Sequence, residues 1–289
     1  MRGSIPSPGL RTVKYGGNTT CIAIETDGGE LIVMDAGTGI FGLSQVLLQR
    51  LPVRCSIFLT HTHWDHIQGL PFFAPIFIPN NHIDIYGAFD LVSERSIKDV
   101  LARQMEYNFF PVRQAELMAD ISYKTIGGER QSIEIGSATV TTILMNHPVL
   151  CFGYRIDCRG KSLFFTGDNE PPINIYKSDD DDYEEYEDLI ARKAGMLRDF
   201  VAGVDVLIMD SMYTTEEYKT KKGWGHGTFD YCISVAKEAG VKSLYLTHHE
   251  PLRSDAELDE IKSRLDKQYP AQSGTPPFYI ASEGLEIIL

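Results

Sequence analysis

The sequence lacks the features that mark several large classes of protein. Its five cysteines are scattered and form no Cys-x-x-Cys pair, which argues against a disulfide framework and indicates a reducing compartment. No apolar run approaches the roughly 18 residues that a membrane-spanning helix needs. Residues 1–10 contain no apolar stretch of the kind found in signal peptides. We therefore expect a cytoplasmic protein that has no membrane partner.

Basic residues are also scarce. The chain has 27 Lys and Arg against 40 Asp and Glu, which gives a formal net charge of −13. A protein that binds long nucleic acid through its phosphates needs a cationic surface, so we expect no long nucleic acid as a partner. The acidic balance remains compatible with a small anionic substrate that is held by metal ions.

What is present is typical of an ordinary globular protein. Of the 289 residues, 43% are hydrophobic and 23% are charged, proportions that allow a single well-buried core at this length. Strand-like and helical patterns alternate along the chain, and no low-complexity linker divides it. The sequence therefore predicts one α/β domain over residues 1–289, with two mixed sheets.

Several elements can be placed from local patterns. Residues 20–25 and 30–35 are β-rich, and Asp27-Gly28-Gly29 between them suits a tight hairpin. Apolar spacing predicts helices at 42–51, 91–107 and 229–239, and a capping box at 254–257 predicts a helix that runs to about residue 267. Residues 278–281 and 285–289 are predicted to form a closing hairpin.

Residues 178–188 carry eight acidic side chains. The segment is interpreted as a solvated loop followed by a helix start, where acidic groups suit the helix dipole. A calcium site is the alternative, but the spacing of an EF-hand is absent.

The strongest motif is His61-Thr62-His63-Trp64-Asp65-His66, which contains three of the eight histidines of the chain. His61 and His63 lie two positions apart just past a predicted strand, so their side chains point the same way. Neutral imidazole suits Zn²⁺ and similar metals. Asp65 and His66 lie further along the turn, where they could reach a second ion. Two ions roughly 3.5–4 Å apart form a clamp that is suited to hydrolysis.

Other candidate ligands also follow predicted strands. His147 comes after a strand at 139–145, and Asp168 comes after one at 162–166. A pair of histidines, His248 and His249, follows a strand at 243–247, and spacing alone does not choose between them. Because α/β folds place ligands and catalytic groups at strand tips, these residues are expected to join the same site.

Together with Asp35-Ala36-Gly37, these motifs resemble the metallo-β-lactamase superfamily. The resemblance implies an αββα sandwich whose cleft holds two divalent ions, with Zn favoured and Mn or Fe as alternatives. It assigns His61, His63 and His147 to one ion. It assigns Asp65, His66 and His248 to the other, with Asp168 as a bridge. Asp35 would orient one of the ligands through a hydrogen bond.

A narrower resemblance covers residues 210–251 and points to the phosphodiesterase branch, which includes RNase Z and cyclic-nucleotide phosphodiesterases. Asp210 ends a strand, and His226 lies in Gly225-His226-Gly227-Thr228, where Gly227 replaces the more usual small hydroxyl residue. A carboxylate on one ring nitrogen fixes the tautomer, so the other nitrogen can face a phosphate or donate a proton. The alternative is that His226 merely caps the following helix. Catalytic roles are predicted for Asp65, Asp210 and His226.

The leading hypothesis is a two-metal phosphodiesterase in which a hydroxide between the ions attacks a small phosphodiester, such as a cyclic nucleotide. Phe72 and Phe73 are candidates for a pocket wall, with core packing as the alternative. A homodimer is an expectation from the resemblance alone.

Three alternatives stay open. The first is RNA 3′ processing of the RNase Z type, although the long Gly/Pro-rich arm and basic face that the resemblance implies for such enzymes are not found in this sequence. The second is hydrolysis of a thioester or lactam, because one fold supports several reactions. The third is a non-catalytic or diiron redox protein.

Overall fold

A computed structural model describes all 289 residues, and its strands form two sheets. The first sheet has five strands in the order β1-β2-β3-β4-β5. β1 pairs antiparallel with β2, and the other neighbours are parallel. The strands are β1 Ile22–Glu25, β2 Leu31–Met34, β3 Arg54–Phe58, β4 His82–Ala88 and β5 Asp120–Ile126.

The second sheet has seven strands in the order β12-β11-β10-β9-β8-β7-β6. β6 to β9 form an antiparallel meander, whereas β9 to β12 are parallel. Between consecutive strands, the chain passes from the first sheet to the second only once, through residues 127–131. The strands are β6 Ser132–Ile135, β7 Ala138–Leu144, β8 Phe152–Cys158, β9 Lys161–Phe165, β10 Val206–Asp210, β11 Leu244–Thr247 and β12 Phe278–Ile280.

Seven α-helices connect or cover the strands. None of them combines the length and the apolar character that a bilayer-spanning helix needs. The helices are α1 Ile40–Leu47, α2 Trp64–Ile67, α3 Ile97–Gln104, α4 Tyr183–Val201, α5 Thr215–Tyr218, α6 Phe229–Glu238 and α7 Asp255–Gln268.

Strand periodicity explains why the sheets stack face to face. In β2, Leu31 and Val33 pack in one cluster with α1 and α3, whereas Ile32 and Met34 pack in another cluster with side chains of the second sheet. Alternate residues of a strand point to opposite faces, so an unbroken apolar strand must be covered on both sides. A third cluster joins the second sheet to α4, α6 and α7. This helix–sheet–sheet–helix order confirms the predicted αββα fold class.

Two local predictions were wrong. The helix expected at 91–107 begins only at Ile97, because Asp90 accepts hydrogen bonds from the amides of Val92 and Ser93 and holds a turn there. The closing hairpin does not form, because β12 pairs in parallel with β11 and residues 285–289 are exposed and outside both sheets.

The parallel pairing also sets the place of the candidate site. β2 and β3 are parallel in the first sheet, and β7 runs parallel to β9, β10 and β11 because two antiparallel steps separate it from β9. The carboxyl ends of these strands therefore lie at the same edge of each sheet, where polar residues follow the last buried residue of each strand.

Candidate metal centre

The first group of candidate ligands lies where β3 and β7 end. His61 follows β3, and His63 stands directly before α2. His63 Nδ1 lies 3.0 Å from His61 Nε2 and 3.1 Å from His147 Nε2. The ligand atoms of these three histidines and Asp168 all lie within 4.8 Å of one another. Four donors at this spacing can surround one metal ion.

The second group lies beside the first. Helix α2 turns Asp65 and His66 inward, where both are buried. Asp65 Oδ2 lies 3.3 Å from His66 Nε2 and 3.2 Å from His248 Nε2. Asp168 completes this group, whose ligand atoms also lie within 4.8 Å of one another.

Asp168 connects the two groups through different oxygens. Its Oδ2 lies 3.5 Å from His61 Nε2 and 3.8 Å from His147 Nε2. Its Oδ1 lies 3.2 Å from His66 Nε2 and 3.1 Å from His248 Nε2. A carboxylate placed in this way can bind one ion with each oxygen. The structure therefore brings together all seven residues that the sequence predicted as ligands.

Hydrogen bonds on the far side of the rings select the nitrogen that faces the centre. His66 Nδ1 donates to Asp35 Oδ2 at 2.7 Å, and His147 Nδ1 donates to the carbonyl oxygen of Gly225 at 2.9 Å. With Nδ1 protonated, the Nε2 lone pair of each ring is free for a metal. Asp35 also accepts from the amide and hydroxyl of Thr60, a residue that the sequence analysis had not singled out.

His226 and Asp210 form a pair next to these groups. His226 Nδ1 donates to Asp210 Oδ2 at 2.9 Å and lies 3.7 Å from Asp168 Oδ2. Backbone amides of Asn169 and Met212 also donate to the Asp210 carboxylate, so its position is fixed. His226 Nε2 has no hydrogen-bond partner in the protein, and this nitrogen is therefore free to contact a ligand.

The histidines of the centre differ in their electrostatics. Burial lowers the pKa of His61 well below its ordinary value. Burial acts in the same direction on His66, but the carboxylates of Asp168, Asp65 and Asp35 outweigh it and raise the pKa of His66 well above the ordinary value. Against burial, Asp168 and Asp210 raise the pKa of His248 to about 10. The carboxylates therefore favour positive charge here, and ligand histidines release protons when a metal binds.

Two further observations test whether these residues fit a metal. Asp35, Asp65, Asp168 and Asp210 are buried, and each lies within ion-pair distance of histidines and of no lysine or arginine. Burying a carboxylate is costly unless a positively charged group or a metal ion lies beside it. In addition, His66 Nε2 and Asp168 Oδ1 are buried and make no hydrogen bond. Both observations fit divalent cations at this centre.

The structure resolves the choice between His248 and His249. His248 faces Asp65 and Asp168, whereas His249 Nε2 lies 3.1 Å from the carbonyl oxygen of Ala281, away from the cluster. His248 has a positive φ of 59° directly after β11, which turns its ring out of the strand alternation. Such a conformation is uncommon outside glycine and is often found at functional sites.

The N-terminal residues contact the centre, which the sequence analysis missed. The Ser4 amide donates to Asp65 Oδ2 at 2.7 Å, and a Cβ on Gly3 would lie only 2.4 Å from His248 Cε1. Arg2 is fully buried and donates to the carbonyl oxygens of Gly16 and Arg253. These residues hold one side of Asp65 and His248. No local pattern signals contacts between positions so far apart in the chain.

Glu170 is a second residue that the sequence analysis missed. Its buried carboxylate accepts from the amides of Gly223 and Gly225 and from the Tyr218 hydroxyl. It therefore fixes the loop that presents His226 and the carbonyl oxygen bonded to His147.

A cavity of about 780 Å³ opens beside the centre and is lined in part by His61 and His147. Phe72 and Phe73, the proposed pocket wall, do not line it. Phe73 is fully buried in the core behind the first sheet, and Phe72 packs against Phe110 at a ring distance of 5.5 Å. Both rings therefore lie outside the lining of this cavity, and Phe73 takes the alternative role of core packing.

Comparisons with known proteins agree with this architecture. The family model for the beta-lactamase superfamily domain matches residues 31–249. A ribonuclease Z from Lactococcus lactis subsp. lactis (strain IL1403) is 28% identical over 267 residues, which cover 80% of this chain and 83% of that protein.

Solved structures show the same fold. The metallo-β-lactamase fold protein YhfI from Bacillus subtilis superposes with a TM-score of 0.63 at 19% identity, covering 98% of this chain and 94% of that one. The short form of human tRNase Z superposes with a TM-score of 0.57 at 20% identity, covering 86% and 92%. At these identities, the likeness concerns the fold alone.

Proposed function

Because the chain belongs to the metallo-β-lactamase superfamily and is a metal-dependent hydrolase, we propose that its substrate is a small phosphodiester, such as a cyclic nucleotide. The observation that carries this proposal is the His226–Asp210 pair beside Asp168. It places an imidazole nitrogen without a protein partner next to the candidate ligands.

The proposed cofactor is a pair of divalent ions, with Zn²⁺ favoured because five of the seven candidate ligands are imidazoles. His61, His63 and His147 would hold one ion, and Asp65, His66 and His248 would hold the other, with Asp168 shared. When bound, such ions lower the pKa of water and neutralise charge on a phosphoryl oxygen.

The protein groups supply position and protons. Asp168 lies between the two groups of histidines and sets their separation. Asp210 fixes His226 through Nδ1, so the Nε2 atom can hold a phosphoryl oxygen or protonate the leaving alcohol. Against burial, Asp210 raises the pKa of His226 above the ordinary value, which favours the protonated ring that a general acid requires.

The net charge of the protein and the volume of the cavity both support a small substrate. The net charge of −13 works against attraction of a long polyanion. The cavity beside the centre measures about 780 Å³, a size typical of sites for small organic molecules.

RNA 3′ processing is the second candidate. The observation in its favour is that curated relatives over most of the chain are ribonucleases Z, including proteins of Lactococcus lactis and Lachnoclostridium phytofermentans. For this candidate, precursor tRNA would have to bind a strongly acidic protein at physiological salt.

One panel of substrates separates these functions. The zinc-loaded protein is assayed with bis(p-nitrophenyl) phosphate, cyclic mononucleotides, precursor tRNA and a thioester, with the Asp168→Ala variant as a control for contaminating enzymes. We expect turnover of small phosphodiesters by the wild type alone. Correct 3′ cleavage of precursor tRNA with nanomolar binding would favour the second candidate. Turnover of the thioester without any phosphodiester would overturn both.

A further inference from the structure

The cavity beside the metal centre has a composition that the proposed reaction does not by itself explain. Fifteen of its 26 lining residues are hydrophobic. Except for Tyr231 of α6, they come from the end of β4 and the segment after it, from the end of β7 and the loop that follows it, and from α4. Since His61 and His147 line the same cavity, a group that occupies it is continuous with the reacting centre.

Several of the apolar side chains in this lining are exposed to water. Leu91 and Val92 are 72% and 97% exposed, and Leu144, Val149 and Met196 are between 40% and 44% exposed. Exposed apolar side chains are ordinary when scattered, but their convergence on one cavity marks a binding surface. Covering them with an apolar group is favourable because it removes apolar surface from water.

The lysine and arginine of the lining are both on α4, whereas its two carboxylates, Asp90 and Glu129, lie elsewhere and accept hydrogen bonds from the backbone amides of Val92, Ser93 and Leu144. Leu189, Arg192, Lys193 and Met196 are spaced so that they share one face of the helix, and all four line the cavity. Arg192 and Lys193 are exposed and form no ion pair or hydrogen bond within the protein. In a chain with net charge −13, two adjacent cations without a carboxylate partner provide a place for an anionic group.

A buried amide supplies a further observation. Asn169 is 3% exposed and lines the cavity next to Asp168. Its Oδ1 accepts from the amide of Asn146 at 3.2 Å, which fixes the orientation of the group. Its Nδ2 is buried and makes no hydrogen bond of ordinary geometry, although the Tyr231 hydroxyl, also in the lining, faces this side chain. A buried donor without a partner is costly, and an acceptor on a bound ligand would satisfy it.

We propose that this cavity binds the organic part of the substrate, and that the substrate is a nucleotide-like phosphodiester that carries a second phosphate. Its apolar ring lies against the α4 face and the loop after β4, Asn169 Nδ2 donates to an oxygen near the scissile phosphate, and Arg192 and Lys193 bind the second phosphate. This inference rests on the proposed function and narrows it, because a cyclic mononucleotide has no second phosphate.

Three esters with the same p-nitrophenolate leaving group test the proposal. They are methyl p-nitrophenyl phosphate, thymidine 5′-(p-nitrophenyl phosphate) and the same thymidine ester with a 3′-phosphate. Because the leaving group is constant, differences in KM report the retained group. We expect KM to fall by roughly tenfold when thymidine replaces methyl. The 3′-phosphate should lower KM further, by roughly three- to tenfold at low salt.

Variants on α4 show which side chains cause each of the two decreases in KM. In the double variant Arg192→Ala, Lys193→Ala, the 3′-phosphate should no longer lower KM, whereas thymidine should still lower it relative to methyl. In Met196→Gln, the decrease in KM that thymidine produces should become smaller, and the decrease that the 3′-phosphate produces should stay the same. Arg198→Ala is the matched control, since Arg198 lies on the same helix, pairs with Glu238 and does not line the cavity. The proposal would be overturned if all three esters had the same KM. It would also be overturned if the 3′-phosphate lowered KM in the double variant as much as in the wild type.

A binding measurement separates this inference from the proposed function. If none of the esters is cleaved by the zinc-loaded protein, the phosphodiesterase proposal fails. Calorimetry with thymidine 3′,5′-bisphosphate then tests the cavity by itself. Binding by the wild type that is weakened in the double variant, and unchanged in Arg198→Ala, supports the assignment. Binding that is absent in the wild type, or equal in the double variant, overturns it.

Discussion

At the scale of single residues, Asp168 is the side chain on which both groups of candidate ligands depend, since each of its oxygens faces a different group. We expect Asp168→Ala to hold fewer than two ions per chain and to lose turnover, because no other residue can replace both contacts. Elemental analysis after dialysis measures the metal content. Asp188→Ala, an exposed acidic residue on α4, is the control. Two ions retained in Asp168→Ala would exclude the bridging role.

His226 is expected to act on the leaving group rather than on metal binding. The His226→Ala variant should retain both ions and lose a factor of about 10²–10⁴ in kcat on substrates with alkoxide leaving groups, as is usual for general acids. The loss should be smaller for p-nitrophenolate esters, because that leaving group needs no proton. The ratio of the two losses is the measurement.

The Asp210→Asn variant is the companion to this experiment. In the proposed reaction Asp210 acts through His226, by orienting the ring and stabilising its charge, so we expect its replacement to cost less than that of His226. Equal losses on both kinds of leaving group in His226→Ala would mean that the ring binds phosphate and donates no proton. No loss on either would remove His226 from the reaction.

At the scale of elements, α7 shows how a short pattern fixes a helix start. The Ser254 hydroxyl accepts from the Glu257 amide at 3.3 Å, and the Glu257 carboxylate accepts from the Ser254 amide at 2.7 Å. We expect Ser254→Ala to lower the free energy of unfolding by about 1 kcal/mol, measured by urea denaturation. Ser263→Ala, at an exposed position inside the same helix, is the control. An equal effect of both substitutions would contradict a capping role.

The elements that the sequence predicted well are those with local signals. Strand ends with polar residues, the capping box at Ser254 and the hairpin glycines all act within a few positions. The helix start at Ile97 was misplaced because Leu91 and Val92 continue the apolar spacing across a turn that Asp90 holds. Pairing partners such as β4 with β5 depend on contacts between distant segments, which periodicity does not encode.

The same limit applies to the candidate site. The motif around His61 and the strand-end residues predicted the candidate ligands that the structure brings together, because each lies in a recognisable local pattern. The roles of Arg2 and Glu170 could not be predicted, since Arg2 contacts Arg253, 251 positions away, and Glu170 contacts Gly225, 55 positions away. The cavity likewise forms only when α4 and the loop after β4 meet.

At the scale of the whole molecule, the candidate ligands come from both sheets, so bound metal should stabilise the assembled sandwich. A ligand at a hundredfold excess over its dissociation constant contributes about 2.7 kcal/mol, which corresponds to a rise of roughly 5–10 °C in the melting temperature of a chain of this size. Calorimetry with Zn²⁺ and with a chelator measures the shift. The Asp168→Ala variant should show a smaller shift, and an unchanged melting temperature in the wild type would contradict the expectation.

The single passage between the sheets, at residues 127–131, has a consequence for how the enzyme could be divided. Residues 1–127 carry four of the candidate ligands, His61, His63, Asp65 and His66, and residues 128–289 carry the other three, His147, Asp168 and His248. Gly127 is exposed and lies between the end of β5 at Ile126 and the start of β6 at Ser132, so a break there interrupts no strand. Two separately produced fragments would each hold an incomplete set of ligands. Hydrolysis would be measurable only when the two fragments associate. If each fragment were fused to a different protein, hydrolysis would therefore report that the two fused proteins are close together.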